Sequence, residues 1–115
     1  MALPVLHEGL DDAEMEALVE NARRATNFLK ALAHEGRMLV LCHLASGEKS
    51  VTELEGLLSA RQAAVSQQLA RLRLEGLVDY RREGRTIYYF LKDERARRMI
   101  EVVYDMFCAP RKDAA

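Results

Sequence analysis

Cys42 and Cys108 are the residues of this 115-residue chain best suited to covalent chemistry. They stand far apart in sequence, and neither belongs to a Cys-x-x-Cys pair. Thiols so placed can pack as small apolar groups, join further ligands on a metal, or act as a redox pair once folding brings them together. A metal site needs three or four ligands, and two sulfurs alone do not supply them. The histidines are His7, His34 and His43. His43 adjoins Cys42, but successive residues on a helix point about 100° apart and seldom share one ion. Surface or capping roles suit the histidines better, so no metal site is assigned. No phosphate-cradling glycine loop, Ser-His-Asp set or catalytic carboxylate pair stands out, and Glu53 and Glu55 read as surface residues of a capped helix. The sequence thus predicts neither an enzyme nor a bound cofactor.

A second set of residues suits nucleic acid. Val65, Leu69 and Leu72 mark the buried stripe of a helix expected over Gln62–Glu75. The opposite face presents Gln62, Ala63, Ser66, Gln67 and Ala70, flanked by Gln68 and Arg71. Glu and Lys normally dominate such a face. Small, hydroxyl and amide side chains suit close approach to base edges: Gln can pair with adenine, Ser adapts to any base, and Ala lets the helix sink into a groove. Arg71 and Arg73 could reach phosphates, and Arg81, Arg82 and Arg85 could hold the duplex backbone or enter the minor groove. Charge supports this placement. Residues 1–58 hold 5 Lys/Arg against 10 Asp/Glu, whereas residues 59–98 hold 10 against 5, inside a chain of net charge −1.

These residues need elements to position them. Half the residues are hydrophobic and 30% charged, an ordinary globular composition for one domain. Asp11 and Glu14 have the form of a capping box, and Met15, Leu18, Ala22, Ala25, Leu29 and Leu32 recur at helical spacing, which predicts a long helix over Asp12–Ala33. A second helix is expected over Glu35–Ala45, with Met38, Leu41, Cys42 and Ala45 on one stripe and Gly47 stopping it. Ser50 and Glu53 form another capping box, opening a short helix through Leu58. Ser59, Ala60 and Arg61 make a tight turn into the Gln62 helix, and Gly76 fits the left-handed position after its end. Val78–Arg82 and Thr86–Leu91 read as strands, joined through Glu83, Gly84 and Arg85. Asp93 then caps a last helix to about Cys108, with Ala96, Met99, Ile100, Val103, Met106 and Phe107 as its stripe. Residues 1–10 and 110–115 are expected to be tails around a domain over 11–109. Helices joined by a tight turn and followed by a hairpin make a winged helix-turn-helix, mostly α with a β-hairpin wing.

Several motifs resemble the ArsR-type repressors. They are Lys30-Ala-Leu-Ala-His-Glu-Gly-Arg37, Ser50-Val-Thr-Glu-Leu54, Ala64-Val-Ser-Gln-Gln-Leu-Ala-Arg-Leu-Arg73, Glu75-Gly-Leu-Val78 and Arg82-Glu-Gly-Arg-Thr-Ile-Tyr-Tyr89. The resemblance spans about residues 22–108. It implies a homodimer joined through its first and last helices, bound to an imperfect palindrome and released when an effector is sensed. Two-fold symmetry would place half-sites about one helical turn, roughly 10 bp, apart.

Metal-sensing members carry a Cys-x-Cys in the third helix, or His and carboxylates along the last. Here the third helix reads Ser-Val-Thr-Glu-Leu-Glu and the last has no His. One Cys in the second helix and one at the end of the last resembles the BigR/SqrR-like subgroup. That resemblance implies a sensor of persulfides or other reactive sulfur donors. One thiol would be persulfidated and the other would attack it, leaving a disulfide or polysulfide bridge within one subunit. The alternatives are a metal-responsive repressor, a dithiol redox enzyme, and a repressor whose cysteines only pack. The N-terminus MALPVLHEGLDD lacks a secretion signal and no apolar run approaches the ~18–20 residues of a membrane span, so a cytoplasmic location and no membrane partner are expected.

Overall fold

The computed structural model describes residues 9–59 and 62–108, with only the backbone of Gln62 and Ala63. The expected terminal tails, apart from Gly9 and Leu10, and the Ala60 and Arg61 portion of the expected turn lie outside the described residues. The chain forms two compact units, one reaching Lys30 and one beginning at Ala31. Among the described residues, no helix is long and apolar enough to cross a membrane.

Helix α1 covers Asp12–Leu32. Asp11 Oδ1 accepts from the Glu14 N–H (2.7 Å), satisfying one of the orphan donors of the first turn. Met15, Val19 and Leu29 are exposed, so much of the apolar stripe expected here is uncovered in the single chain.

In the second unit, α2 (Glu35–Ala45) starts at His34, whose Nδ1 accepts from the Arg37 N–H at 3.3 Å. A capping role thus falls to one of the three histidines. Helix α3 (Val51–Leu58) opens on the full capping box: Ser50 Oγ accepts from the Glu53 N–H (3.1 Å), and Glu53 Oε1 accepts from the Ser50 N–H (3.0 Å). Helix α4 (Gln62–Leu74) ends as expected at Gly76, which takes φ 77°. The Gly76 N–H donates to Arg73 O (2.9 Å) and the Leu77 N–H to Leu72 O (3.0 Å), the paired bonds of a Schellman cap. Helix α5 (Glu94–Phe107) is capped by Asp93, which accepts from the Arg95 N–H at 2.8 Å.

The sheet has the order β1-β3-β2, all antiparallel. Strands β2 (Val78–Glu83) and β3 (Thr86–Leu91) form the hairpin, in register Tyr80↔Tyr89, Arg81↔Tyr88 and Arg82↔Ile87. Strand β1 (Lys49–Ser50) pairs with Tyr89 and Tyr88 on the other edge of β3. The core is Ala31 and Leu32, Val40, Leu41 and Leu44 of α2, Leu54 of α3, Val65, Leu69 and Leu72 of α4, Leu77 and Val78, and Ala96 and Ile100 of α5.

The structure corrects several expectations. Strand β1 is absent from the sequence-based expectation: its two residues, Lys and Ser, have no strand pattern of their own and are extended by pairing with β3. Of the stripe expected on α2, Leu41 is fully buried and Met38, Cys42 and Ala45 are half-buried, while Val40 and Leu44 join Leu41 in the core. Neighbours pack on several sides of this helix, so its apolar residues do not form one stripe. Helix α1 stops at Leu32 rather than Ala33, and α4 at Leu74 rather than Glu75. The hairpin loop is two residues, not three. Glu83 still pairs with Thr86, and Gly84 alone takes the positive φ (62°), the pattern of a II′ turn.

Nothing lies within 4 Å of a Cβ built on Gly76, so only its left-handed backbone opposes a side chain. Gly76→Ala is expected to lower stability by about 1–2 kcal/mol, read as a lower urea midpoint with an unchanged m-value.

Candidate nucleic-acid interface and thiol pair

The second unit presents α4 as the polar helix of the helix-turn-helix. Its Val65, Leu69 and Leu72 side chains are buried, as their helical spacing requires. Ser66, Gln67 and Ala70 are exposed, and so is Ala64, a further small residue beyond those expected on this face. Of Gln62 and Ala63 only the backbone, at the start of α4, is described. Gln68 is half-buried. A Cβ built on Gly36 would stand 3.1 Å from Gln68 Nε2, so the Gln68 amide lies over the start of α2 and Gly36 leaves room for it.

The arginines divide into two groups. Arg71 is exposed but pairs with Glu75 (3.2 Å). Arg73 pairs with Asp79 (3.4 Å) and lies over the Tyr80 ring (4.3 Å to its centroid). The Tyr80 N–H, first, and Arg73 with Lys92, second, hold the Asp79 carboxyl below its ordinary range. Arg81 is the most restrained. Its Nε donates to both Glu48 oxygens (3.0 Å each), its Nη2 to Glu48 Oε1, and its Nη1 to Glu83 Oε2 (2.9 Å), while the guanidinium lies over the Tyr88 ring. These hydrogen bonds push Glu48 below its ordinary value and Arg81 above its own. Arg71, Arg73 and Arg81 are thus each engaged by a carboxylate within the chain. Arg82 and Arg85 are exposed, and no ion pair joins either to another described residue. Arg85 and Thr86 share a hollow of about 220 Å³ with Ser50, Val51 and Thr52 at the start of α3. The hairpin turn and the first helix of the helix-turn-helix thus line one surface.

The two thiols sit on helices that pack against each other, α2 and α5. Cys42 is half-buried in the middle of α2. Cys108 is exposed at the C-cap of α5, where its N–H donates to Tyr104 O (2.8 Å). Both are free thiols. Burial, first, and the charge of a Cys108 thiolate, second, push the Cys42 thiol above its ordinary value. The second cause exists only because the fold brings the two sulfurs into one neighbourhood. No three His, Cys, Asp or Glu side chains gather into a metal-holding group among the described residues.

Comparison with known proteins agrees with this frame. A family model described as "Bacterial regulatory protein, arsR family" matches residues 34–80, from the α2 cap into β2. The chain is 44% identical to the biofilm growth-associated repressor of Agrobacterium fabrum over 110 residues, covering 94% of each chain. Among solved structures, reduced HlyU from Vibrio cholerae superposes with a TM-score of 0.79 at 39% identity, covering 82% of this chain and 99% of that one. The transcriptional repressor BigR from Xylella fastidiosa gives 0.76 at 38% identity, covering 84% and 98%. These relatives are regulators of transcription, not enzymes. With this similarity running over nearly its whole length on a winged helix-turn-helix frame, the chain belongs to the arsR family of bacterial regulatory proteins and groups there with BigR-like members.

Proposed function

We propose that the chain is a transcriptional repressor that binds palindromic operator DNA as a homodimer and lets go when Cys42 and Cys108 become bridged by reactive sulfur. The observation that carries this reading is the position of α2. It packs against α4 and against α5 at once, so the helix that carries Cys42 touches both the polar helix of the helix-turn-helix and the helix that ends at Cys108. DNA would meet Gln62, Ala63, Ser66 and Gln67 in the major groove, with Gln68 and Arg71 at the edge of the contact. Arg82 and Arg85, unengaged within the described chain, would hold phosphates or the minor groove. A second copy would cover the apolar residues left exposed on α1 and on the end of α5, where Phe107 is 78% exposed.

The thiol chemistry balances without a metal. The exposed Cys108 meets the donor first. Its thiolate attacks the outer sulfur of a persulfide RSSH, and RS⁻ leaves and takes up a proton, giving Cys108–SSH. The Cys42 thiolate then attacks the inner sulfur and expels HS⁻, leaving a disulfide. With two persulfides per pair of thiols, the products are a trisulfide, two RSH and one hydrogen sulfide. A direct disulfide needs the two Cα atoms within about 7 Å, whereas a longer sulfur chain relaxes that limit. In this way sulfur donors can be favoured over ordinary oxidants.

Three outcomes test the reading. On a duplex recovered by in vitro selection with the reduced protein, persulfide treatment should weaken binding by about 5–150-fold. Cys42→Ser and Cys108→Ser should bind the untreated duplex normally and lose the response. Equal affinity before and after treatment would refute the switch, and tight stoichiometric zinc binding would favour the metal-responsive alternative. Arg82→Ala and Arg85→Ala should each flatten the plot of log affinity against log salt by about 0.9 for every phosphate no longer neutralised. In the reduced protein, iodoacetamide should label Cys108 before Cys42. Because the Cys42 thiol titrates above its ordinary value, its labelling should rise later with pH, and the gap should narrow in alkaline solution. Peptide mass spectrometry across a pH series reads both rates.

A further inference from the structure

The hairpin is anchored unevenly. Strand β1 pairs only with Tyr88 and Tyr89 of β3, so Thr86 and Ile87 have partners on β2 alone. Beyond Tyr88 the sheet has only two strands, and a two-stranded ribbon is marginal by itself; its other neighbour is the start of α3, across the hollow that Arg85, Thr86 and Ile87 share with Ser50, Val51 and Thr52. It is this overhanging part that carries Arg82 and Arg85. Strands β1 and β2 lie on opposite edges of β3, so no ladder hydrogen bond joins β2 to the segment entering β1. The Glu48–Arg81 contact bridges that gap. Arg81 stands opposite Tyr88, crosses above its ring at 4.8 Å, and grips the carboxylate of Glu48, which immediately precedes β1. The clasp links the segment entering β1 to β2 across β3, at the last position where β1 pairs with the hairpin.

We propose that Glu48 and Arg81 are positioning residues: their clasp over Tyr88 fixes the pose of the wing tip, so that an acidic side chain strengthens binding to a polyanion. An isolated exposed ion pair contributes little. Here Arg81 satisfies Glu48, Glu83 and the Tyr88 face from one side-chain conformation, so the entropy of ordering it is spent once for three partners. Simple charge counting predicts the opposite sign, because removing a carboxylate near the wing should favour phosphate. The sign of the Glu48 effect therefore separates a strut from a bystander.

The proposal rests on the DNA-binding reading above, and its test has one arm that needs no DNA. In free protein, Glu48→Ala should speed amide hydrogen exchange over residues 82–87 while the thermal midpoint stays unchanged. On the selected duplex, Glu48→Ala should weaken binding by about two- to tenfold, the lower part of the range for contacting pairs. Arg81→Ala should weaken it similarly with the salt slope unchanged, and the double variant should be no worse than either single. Tighter or equal binding by Glu48→Ala overturns the strut. So does a salt slope flattened by about 0.9 in Arg81→Ala, since Arg81 would then touch phosphate itself. If the unaltered protein selects no duplex, the DNA-binding reading fails, and unchanged exchange over 82–87 overturns the strut independently.

Discussion

The burial of α2 is the constraint on which the second unit depends. Val40, Leu41 and Leu44 are at most 1% exposed, and the helix packs against α3, α4, α5 and β3. An interior packed to near-crystalline density does not deform smoothly; it shifts between discrete arrangements. Whatever moves α2 is therefore felt by α4. Cys42 occupies this helix, and Cys108 ends the helix beside it. In the proposed switch, a sulfur bridge would act on this packed helix from its half-buried side rather than at the DNA surface.

Polar contacts secure the same hub from outside. His34 caps the start of α2, and Arg37 Nε donates to Ala31 O at 2.7 Å. At the other end, Arg97 Nη1 of α5 donates to Ala45 O at 3.0 Å, satisfying one of the terminal carbonyls of α2. Three residues further along, Glu48 holds the wing through Arg81. The two ends of α2 thus tie the remaining elements of the unit together. This division also explains the use of the arginines. Arg73, Arg81 and Arg97 are committed to internal contacts, while Arg82 and Arg85 project from the hairpin.

Much of this was legible in the sequence where the cause is local. The capping residues Ser50 and Asp93, the Gly76 stop and the Val65, Leu69, Leu72 stripe each depend on a few consecutive residues, and each is found as expected. What was not legible depends on distant partners. Lys49 and Ser50 become a strand only beside Tyr88 and Tyr89. Arg81 is a free cation in the sequence and a clasped one in the fold, because Glu48 lies 33 positions away. The approach of Cys108 to Cys42 belongs to the same class: the resemblance to a family implied it, and no spacing could have derived it.

Amide hydrogen exchange, compared between fully reduced protein and protein carrying a Cys42–Cys108 sulfur bridge, tests the central role of α2 most directly. A bridge that acts through α2 must change protection along α4, over residues 62–74, as well as in α2 and α5. Changes confined to residues flanking the two cysteines, with α4 untouched, would contradict the account.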